Sequence, residues 1–143
     1  MDVQLIDNSL LSWLHQKARE NVRKRQNYDL RTTKDDSSQR MLNALEPGTH
    51  VPIHRHLNTT ETVVCLEGCL DWVIYEEMPS TNEGRPVLDG NNTDESGFKE
   101  IARYHVCPKE KRYGIQVPQG AWHSIQVYEP STIAEMKDGP YEE

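Results

Sequence analysis

The sequence predicts an all-β fold, an antiparallel sandwich or barrel preceded by one N-terminal α-helix. Three observations support this prediction. Apolar side chains at helical spacing occur only in the first twenty or so residues. Beyond residue 40 the chain divides into about eight short runs rich in β-branched and aromatic residues. Turn signals separate these runs and no helical pattern lies between them, which is typical of sandwiches and barrels.

Length and composition indicate a single domain that is not a nucleic-acid binder. The chain has 143 residues, enough to bury roughly 70% of its unfolded surface. Its net charge of −7 does not suit a phosphate backbone, although the locally basic stretch 17–40 could attract a carboxylated or phosphorylated small molecule. That stretch could equally be a solvated connecting segment. Since no apolar run is long enough to span a membrane and the N-terminus lacks a signal-peptide pattern, we expect a cytoplasmic protein.

The helix is predicted at residues 7–20. Asp7, Asn8 or Ser9 can cap it, and the apolar residues that recur on one face are Leu10, Leu11, Leu14 and Ala18. The segment from Asn21 to Gln39 is polar and irregular. We therefore predict that residues 1–39 form a helix and a connecting segment packed on a barrel made by residues 40–143.

The predicted strands of the barrel follow from Arg40 onward. They are the runs RMLNALE, HVPIHRH, ETVVCLE, CLDWVIYEE, FKEIARYHVC, YGIQVP, WHSIQVYE and STIAEMK, separated by turns such as EPG, EG, PQG and EPS. A polar insertion at residues 78–97 interrupts the regular spacing. A loop of about twenty residues in a compact domain is either disordered or functional.

The three cysteines, Cys65, Cys69 and Cys107, are an odd number, and two of them lie in apolar runs. We expect them to be reduced core residues, in keeping with a cytoplasmic location. A zinc site on Cys65 and Cys69 would need a spacing of the C-x2-C type, and this pair has C-x3-C.

Histidines and a glutamate are concentrated in the stretch GTHVPIHRHLNTTETVVCLEG, residues 48–68. In an extended run His50, His54 and His56 share one face, with the last two about 7 Å apart along the strand. Glu61 then opens a neighbouring strand, and a turn at residues 67 and 68 is expected to reverse the chain. A buried glutamate is costly unless its charge is balanced, so these groups face either solvent or a cation.

Further along the chain, His123 follows a Pro–Gly turn at the start of another apolar strand. Three imidazoles and one carboxylate suit divalent transition metals such as iron, manganese, nickel or zinc, and discriminate poorly among them. The sequence therefore predicts one divalent transition metal held by His54, His56, Glu61 and His123. A cluster of exposed polar residues is the alternative.

The spacing of these residues resembles that of the cupin superfamily. Gly48, five residues, His54-x-His56, four residues, Glu61, six residues and Gly68 match the first cupin motif at every position. The core of the second motif is matched by Pro118, Gly120 and His123. Arg112 stands where that motif begins with glycine, and Val127 where it ends with asparagine, so the departures concern turn geometry and not the ligand histidine.

Within this superfamily the chain looks like the WbuC-like cupin-fold metalloproteins, small bacterial proteins often associated with lipopolysaccharide or O-antigen gene clusters. The similar segments are QRMLNALEPGTHV, HRH, GAWHS and EMKDGPYEE. The resemblance implies a double-stranded β-helix, the jelly-roll barrel, with one metal near its centre. It does not supply a reaction.

Three further residues are candidates for a substrate site. His50 could line the pocket mouth as an acid/base group, or be a solvent-facing edge residue. Arg40 shares a strand face with Leu42 and Ala44, so it could reach into the barrel and bind a carboxylate or phosphate. Arg40 could equally form a salt bridge at the strand end. The same two alternatives, binding an anionic group or forming a salt bridge, apply to Lys137.

These residues support two classes of function. The first is a metal-dependent isomerase or epimerase acting on a small sugar or sugar-nucleotide-derived substrate, with an Fe(II) dioxygenase as the alternative enzyme. The second is a binding or regulatory protein that holds a small molecule without catalysis. Fold does not decide between them. Exposed sheet edges also predict that the protein forms a homodimer.

Overall fold

A computed structural model describes residues 2–79 and 95–139 of the chain. One α-helix precedes six strands, and two short 3₁₀ helices lie at Glu95–Gly97 and Pro108–Glu110. The helix and strands are α1 (Asn8–Glu20), β1 (Arg25–Asp29), β2 (Ser38–Leu45), β3 (Glu61–Glu77), β4 (Phe98–Val106), β5 (Gly114–Val117) and β6 (Trp122–Asp138).

Helix α1 forms where its capping residue and apolar spacing predict it. The Asp7 carboxylate caps the N-terminus by accepting a hydrogen bond from the backbone N–H of Leu10 at 3.1 Å. The apolar face of the helix buries Leu14 and Ala18 against Leu42 and Ala44 of β2. The predicted helix is confirmed, and it covers the outer face of the sheet.

All strand pairs in the sheet are antiparallel. The strand order is β1-β2-β6-β3-β4, and β5 pairs with the first part of β3 on the side away from β6. Within the described residues the sheet is not closed, and β1 and β4 form its edges. This topology confirms the predicted jelly-roll fold with an N-terminal helix. Pairing of an edge strand in a homodimer stays a prediction.

The predicted turn at residues 67 and 68 is instead an irregularity inside one long strand. β3 continues through Gly68, and its register with β6 shifts between Cys65 and Leu70. Gly68 has a φ of +106°, and a side chain there would overlap Ser131 on the neighbouring strand. The predicted turn EPS is likewise absorbed into β6. Glycine and proline can mark a bulge or bend as well as a reversal, so sequence alone did not separate the two.

Two other expectations about secondary structure were wrong. The segment Asn21 to Gln39 contains β1, which pairs with β2, so the sheet begins before the predicted barrel boundary at residue 40. The run HVPIHRH is not a strand, since only His54 forms an isolated bridge. Strand β1 is short, polar and part-exposed, and such a strand carries little hydrophobic signal.

The side chains of β3 that face the core are odd-numbered before its irregularity and even-numbered after it. The core contains Val63 and Cys65 before it, then Leu70 and Trp72 after it. The other buried members of this core are Leu45, Val106, Val117, Val127 and Ile133. Away from the register shift, odd-numbered residues of β6 such as Val127, Ile133 and Lys137 therefore face the same interior as Glu61 at the start of β3.

Cys69 and Cys107 form a disulfide, with their Cα atoms 4.3 Å apart. The expectation that all three cysteines are reduced was therefore wrong for this pair and holds for Cys65, a buried free thiol. The cause is cross-strand register, because Cys107 directly follows β4 and lies opposite Cys69 of β3. Spacing along the sequence does not reveal that neighbourhood.

Most of the predicted insertion, residues 80–94, lies outside the described residues, so its disorder or function stays a prediction. In the described part of the chain, no helix is both long and apolar enough to cross a membrane.

Replacing Gly68 with alanine tests the structural role of the β3 irregularity. Gly68→Ala combines a left-handed backbone with overlap against Ser131, so we expect a loss of at least about 3 kcal/mol in the free energy of unfolding. Gly48→Ala is the matched control, with a φ of +91° but no atom within 4 Å of the added carbon. Its expected cost is about 1 kcal/mol. Equal losses in denaturant unfolding would contradict the proposed close approach.

Candidate metal centre

A short backbone bridge brings the first and last predicted histidine ligands together. The N–H of His54 donates to the carbonyl of His123 at 2.9 Å, and the N–H of His123 donates back at 2.8 Å. The two imidazole rings lie side by side as a result, with centroids 4.3 Å apart. Residues 69 positions apart in the chain thus become direct neighbours.

The side chains around this bridge alternate as predicted, although the segment is not a continuous strand. Ile53 packs with Phe98 and Trp122, and the Arg55 guanidinium lies 4.4 Å from the centre of the Trp122 ring. His54 and His56 point away from this apolar cluster, with ring centroids 5.2 Å apart. The cluster therefore fixes the segment that carries both imidazoles.

The three imidazoles can converge on one ion. One ring nitrogen from each of His54, His56 and His123 lies within 4.8 Å of the other two. The Nδ1 atoms of His54 and His123 lie 2.8 and 2.9 Å from the carbonyl oxygens of Pro52 and Ala121. Donation to these carbonyls places the proton on Nδ1 and leaves the Nε2 lone pair for a metal.

Two buried nitrogen atoms indicate that the three imidazoles could hold a metal ion. Nε2 of His56 and Nε2 of His123 are buried and have no hydrogen-bond partner among the described residues. Buried polar atoms without a partner are costly, and a cation that accepts their lone pairs removes that cost. His56 is the most exposed of the three, with 23% of its side chain accessible, so solvent reaches the cluster on its side.

Glu61 lies beside the imidazoles in the barrel interior. Its carboxylate is 3.3 Å from Nε2 of His56, 3.7 Å from Nε2 of His123 and 3.4 Å from Nζ of Lys137. Burial alone raises the pKa of Glu61, but its 3.3 Å contact with the His56 side chain and the charge of Lys137 outweigh that effect and hold the pKa below its usual range. The ionised carboxylate is close enough to complete a three-histidine, one-glutamate set, which stays a prediction.

Two of the three histidines, His54 and His123, are buried in a way that favours the form that a metal needs. Burial lowers the pKa of His54, and the neighbouring His123 lowers it further. Burial also lowers the pKa of His123. A lowered pKa favours the neutral imidazole, which is the form that coordinates metals.

One acidic residue of this interior, Glu135, was missed by the sequence reasoning. Its carboxyl group lies beside the side chains of Glu61 and Asn43. Burial, and then the charge of Glu61, raise the pKa of Glu135 well above its usual range. Strand parity could have found it, because Glu135 has the parity of His123 and Lys137 on one uninterrupted strand.

The structure brings one of the three predicted substrate residues to the cluster. Lys137 faces the interior and contacts Glu61. Arg40 shares the face of Leu42 and Ala44, which packs on α1, and pairs with Asp36 at 2.9 Å. The predicted face of Arg40 was right, but that face lies outside the barrel.

His50 lies at the surface, away from the three imidazoles. Its side chain is exposed, and its backbone carbonyl accepts a hydrogen bond from the Arg25 guanidinium. Its ring is not part of the group of converging nitrogens.

Removing two imidazoles tests the centre directly. His54→Ala combined with His56→Ala should abolish stoichiometric binding of iron, manganese, nickel or zinc, because two of the three converging nitrogens are lost. His50→Ala is the matched control from the same segment and should retain the metal. The measurement is elemental analysis of protein purified without a metal-binding tag and with its disulfide intact. Undiminished metal in the double variant would refute the assignment.

Metal removal should also reduce stability. Bound metal at a hundred times its dissociation constant stabilises the folded state by about 2.7 kcal/mol. We therefore expect a chelator to lower the melting temperature of the native protein, measured by calorimetry, and to leave that of the His54→Ala/His56→Ala variant unchanged. An equal shift in both proteins would mean that the chelator acts elsewhere.

Several solved structures, cupin domains among them, share the fold of this chain. A conserved protein of unknown function, SPY1581 from Streptococcus pyogenes, superposes with a TM-score of 0.59 at 13% identity, over 99% of this chain and 92% of that one. The Cnp3 cupin domain of Schizosaccharomyces pombe has a TM-score of 0.54 at 12% identity, over 83% of this chain and 63% of that one. KdgF from Halomonas sp. has a TM-score of 0.52 at 13% identity and 82% coverage of both chains.

At these identities the likeness shows the cupin fold and nothing more. The chain spans only 26% of one further similar structure, E. coli ycfD, and 28% of another, CapF from Staphylococcus aureus. No functionally curated protein matches it in sequence. The resemblance to WbuC-like proteins stays a prediction.

A family profile does match residues 6–85, more than half of the sequence. The chain therefore belongs to the family described as a domain of unknown function, DUF6016, and it has the cupin fold.

Proposed function

We propose that this protein is a metal-dependent enzyme of the isomerase or epimerase type, acting on a small sugar or sugar-nucleotide-derived substrate. One observation supports this most strongly: two groups that can bind an anion or transfer a proton, Lys137 and Glu135, lie in the same interior as the three converging imidazoles. A purely structural metal site needs neither group.

Lys137 is suited to bind an anionic or hydroxyl-rich substrate. Its side chain is only 11% exposed, and its ammonium group lies 3.4 Å from the Glu61 carboxylate. An ammonium group has three donors, so donors remain for a ligand oxygen. Low exposure strengthens any such hydrogen bond, because water competes less effectively for the donor.

Glu135 is the group best placed to transfer a proton. Its carboxyl group lies beside Glu61 in the interior, its pKa is raised by burial and by the charge of Glu61, and it can exchange one proton with a bound substrate. The divalent ion supplies Lewis-acid polarisation of a substrate oxygen when bound. We propose Glu135 as the acid/base group in place of His50, because His50 lies at the surface outside the cluster.

The substrate class rests on the WbuC-like resemblance, which implies a role in lipopolysaccharide or O-antigen biosynthesis. The relevant chemistry is removal of a proton from a carbon next to a carbonyl group, followed by its return to the same or an adjacent carbon. Solvent hydrogen enters the product in such a reaction, which makes turnover detectable even when the product is unidentified.

The test is deuterium incorporation. Protein loaded in turn with manganese, nickel, zinc and anaerobic ferrous iron is incubated in D2O with a panel of nucleoside-diphosphate sugars and keto sugars. We expect NMR to show metal-dependent exchange of a carbon-bound hydrogen. Oxygen uptake by the ferrous form without exchange would favour the dioxygenase alternative. Saturable binding of a panel member with neither reaction would favour a binding protein, and both outcomes would overturn the proposal.

Two variants separate the proposed roles of Glu135 in proton transfer and of Lys137 in substrate binding. Glu135→Gln keeps size and removes the exchangeable carboxyl proton, so kcat for exchange should fall by roughly 10²–10⁴-fold. Lys137→Gln should instead raise KM by about tenfold or more, since a charge-assisted hydrogen bond contributes about 1.5–3 kcal/mol. Asp138→Asn, on the exposed opposite face of the same strand, is the control and should change neither constant.

A further inference from the structure

A second cluster of metal-binding side chains lies away from the histidine centre. Cys69 of β3 and Cys107, which follows β4, are joined by the disulfide, and His105 precedes Cys107 on the same strand face. The 3₁₀ helix Pro108–Glu110 turns the chain back, and the N–H of Glu110 donates to the carbonyl of Cys107 at 2.9 Å. This turn carries the Glu110 carboxylate to the His105 ring.

The four ligand atoms of this cluster are close enough to hold one ion. One atom from each of Cys69, His105, Cys107 and Glu110 lies within 4.8 Å of the other three. Ligand atoms around a tetrahedral zinc ion are about 3.3–3.8 Å apart, as follows from the usual zinc–ligand bond lengths. Only small movements of the sulfur atoms are needed once the disulfide is reduced.

The His105 ring is already oriented for coordination. Its Nδ1 lies 2.7 Å from the Asp71 carboxylate, and its Nε2 lies 2.9 Å from the Glu110 carboxylate. Asp71 is fixed in turn by hydrogen bonds from Tyr128 and Arg103. A carboxylate bonded to the far nitrogen of a histidine is the usual support for a zinc-bound imidazole. With Nδ1 bonded to Asp71, the nitrogen left to bind a metal is Nε2, which lies beside Glu110.

This cluster is independent of the histidine centre. It shares no residue with His54, His56 and His123, and it lies on the other face of β3, since its neighbours Leu70 and Val106 point into the core. The two cysteines are buried, whereas Glu110 is exposed, so an ion can enter from solvent past Glu110.

We propose that the reduced form of this cluster is a zinc-type site made by Cys69, Cys107, His105 and Glu110, and that disulfide formation switches it off. A small dithiol reductant gives two electrons to the Cys69–Cys107 bond and becomes a disulfide itself, which leaves two protein thiols. A divalent ion then binds both sulfurs and displaces their two protons. A disulfide-class oxidant reverses the process and releases the ion.

The experiment uses cobalt(II) as the probe on the full chain after reduction and removal of the reductant under argon. We expect one equivalent to produce near-ultraviolet thiolate-to-cobalt charge-transfer absorption, and zinc to abolish it by competition. The histidine centre contains no sulfur, so the His54→Ala/His56→Ala variant should give the same absorption. Failure of the histidine centre and failure of this proposal are therefore distinguishable.

Variants of the cluster test each ligand. Cys69→Ser/Cys107→Ser should lose the absorption, whereas Cys65→Ala, which removes the thiol outside the cluster, should retain it. His105→Gln and Glu110→Gln are part-exposed substitutions that serve if the double cysteine variant fails to fold, and each should weaken zinc binding at least tenfold. Absence of the absorption in folded, reduced native protein would overturn the proposal. Undiminished affinity in both glutamine variants would also overturn it.

Discussion

The Glu61 carboxylate is the charge around which the interior of this protein is organised. It is 2% exposed, and an isolated buried carboxylate would cost several kcal/mol or force the group to take up a proton. Lys137 and the imidazoles of His56 and His123 surround it instead. Glu61 lies on β3, whereas these partners come from β6 and from the irregular segment before β3, so balancing one charge constrains how three parts of the chain meet.

Strand β3 links this interior to the outer surface. Its first half places Glu61, Val63 and Cys65 inward, and the shift near Gly68 changes the parity so that Leu70 and Trp72 face inward afterwards. Cys69 and Asp71 consequently face outward, where the second cluster forms. One irregularity thus allows a single strand to supply a buried carboxylate on one face and a thiol and a supporting carboxylate on the other.

The parts of this structure that the sequence predicted are those that depend on local pattern. The helix followed from the Asp7 cap and the spacing of Leu10, Leu14 and Ala18, and the convergence of the three histidines followed from motif spacing. What failed depends on contacts between distant residues. The neighbourhood of Cys69 and Cys107 is set by register between two strands, and the outward direction of Arg40 by the packing of α1.

Glu135 was missed for a related reason. The sequence EPS suggested a turn between His123 and Glu135, and a turn would mean that their side chains need not face the same side of the sheet. Proline at position 130 is instead accommodated within β6 at the register shift, where neither β2 nor β3 supplies it with a register partner.

The pairing of β3 with β6 also fixes the order of events as the chain is synthesised. Glu61 is the register partner of Lys137, and Ile74 that of His123, so the central ladder forms only after both distant segments have left the ribosome. Before that moment His54 and His56 are two imidazoles on an unstructured segment, which is a weak chelate. The three-histidine arrangement that could hold an ion is therefore completed late, by a sheet that has already formed.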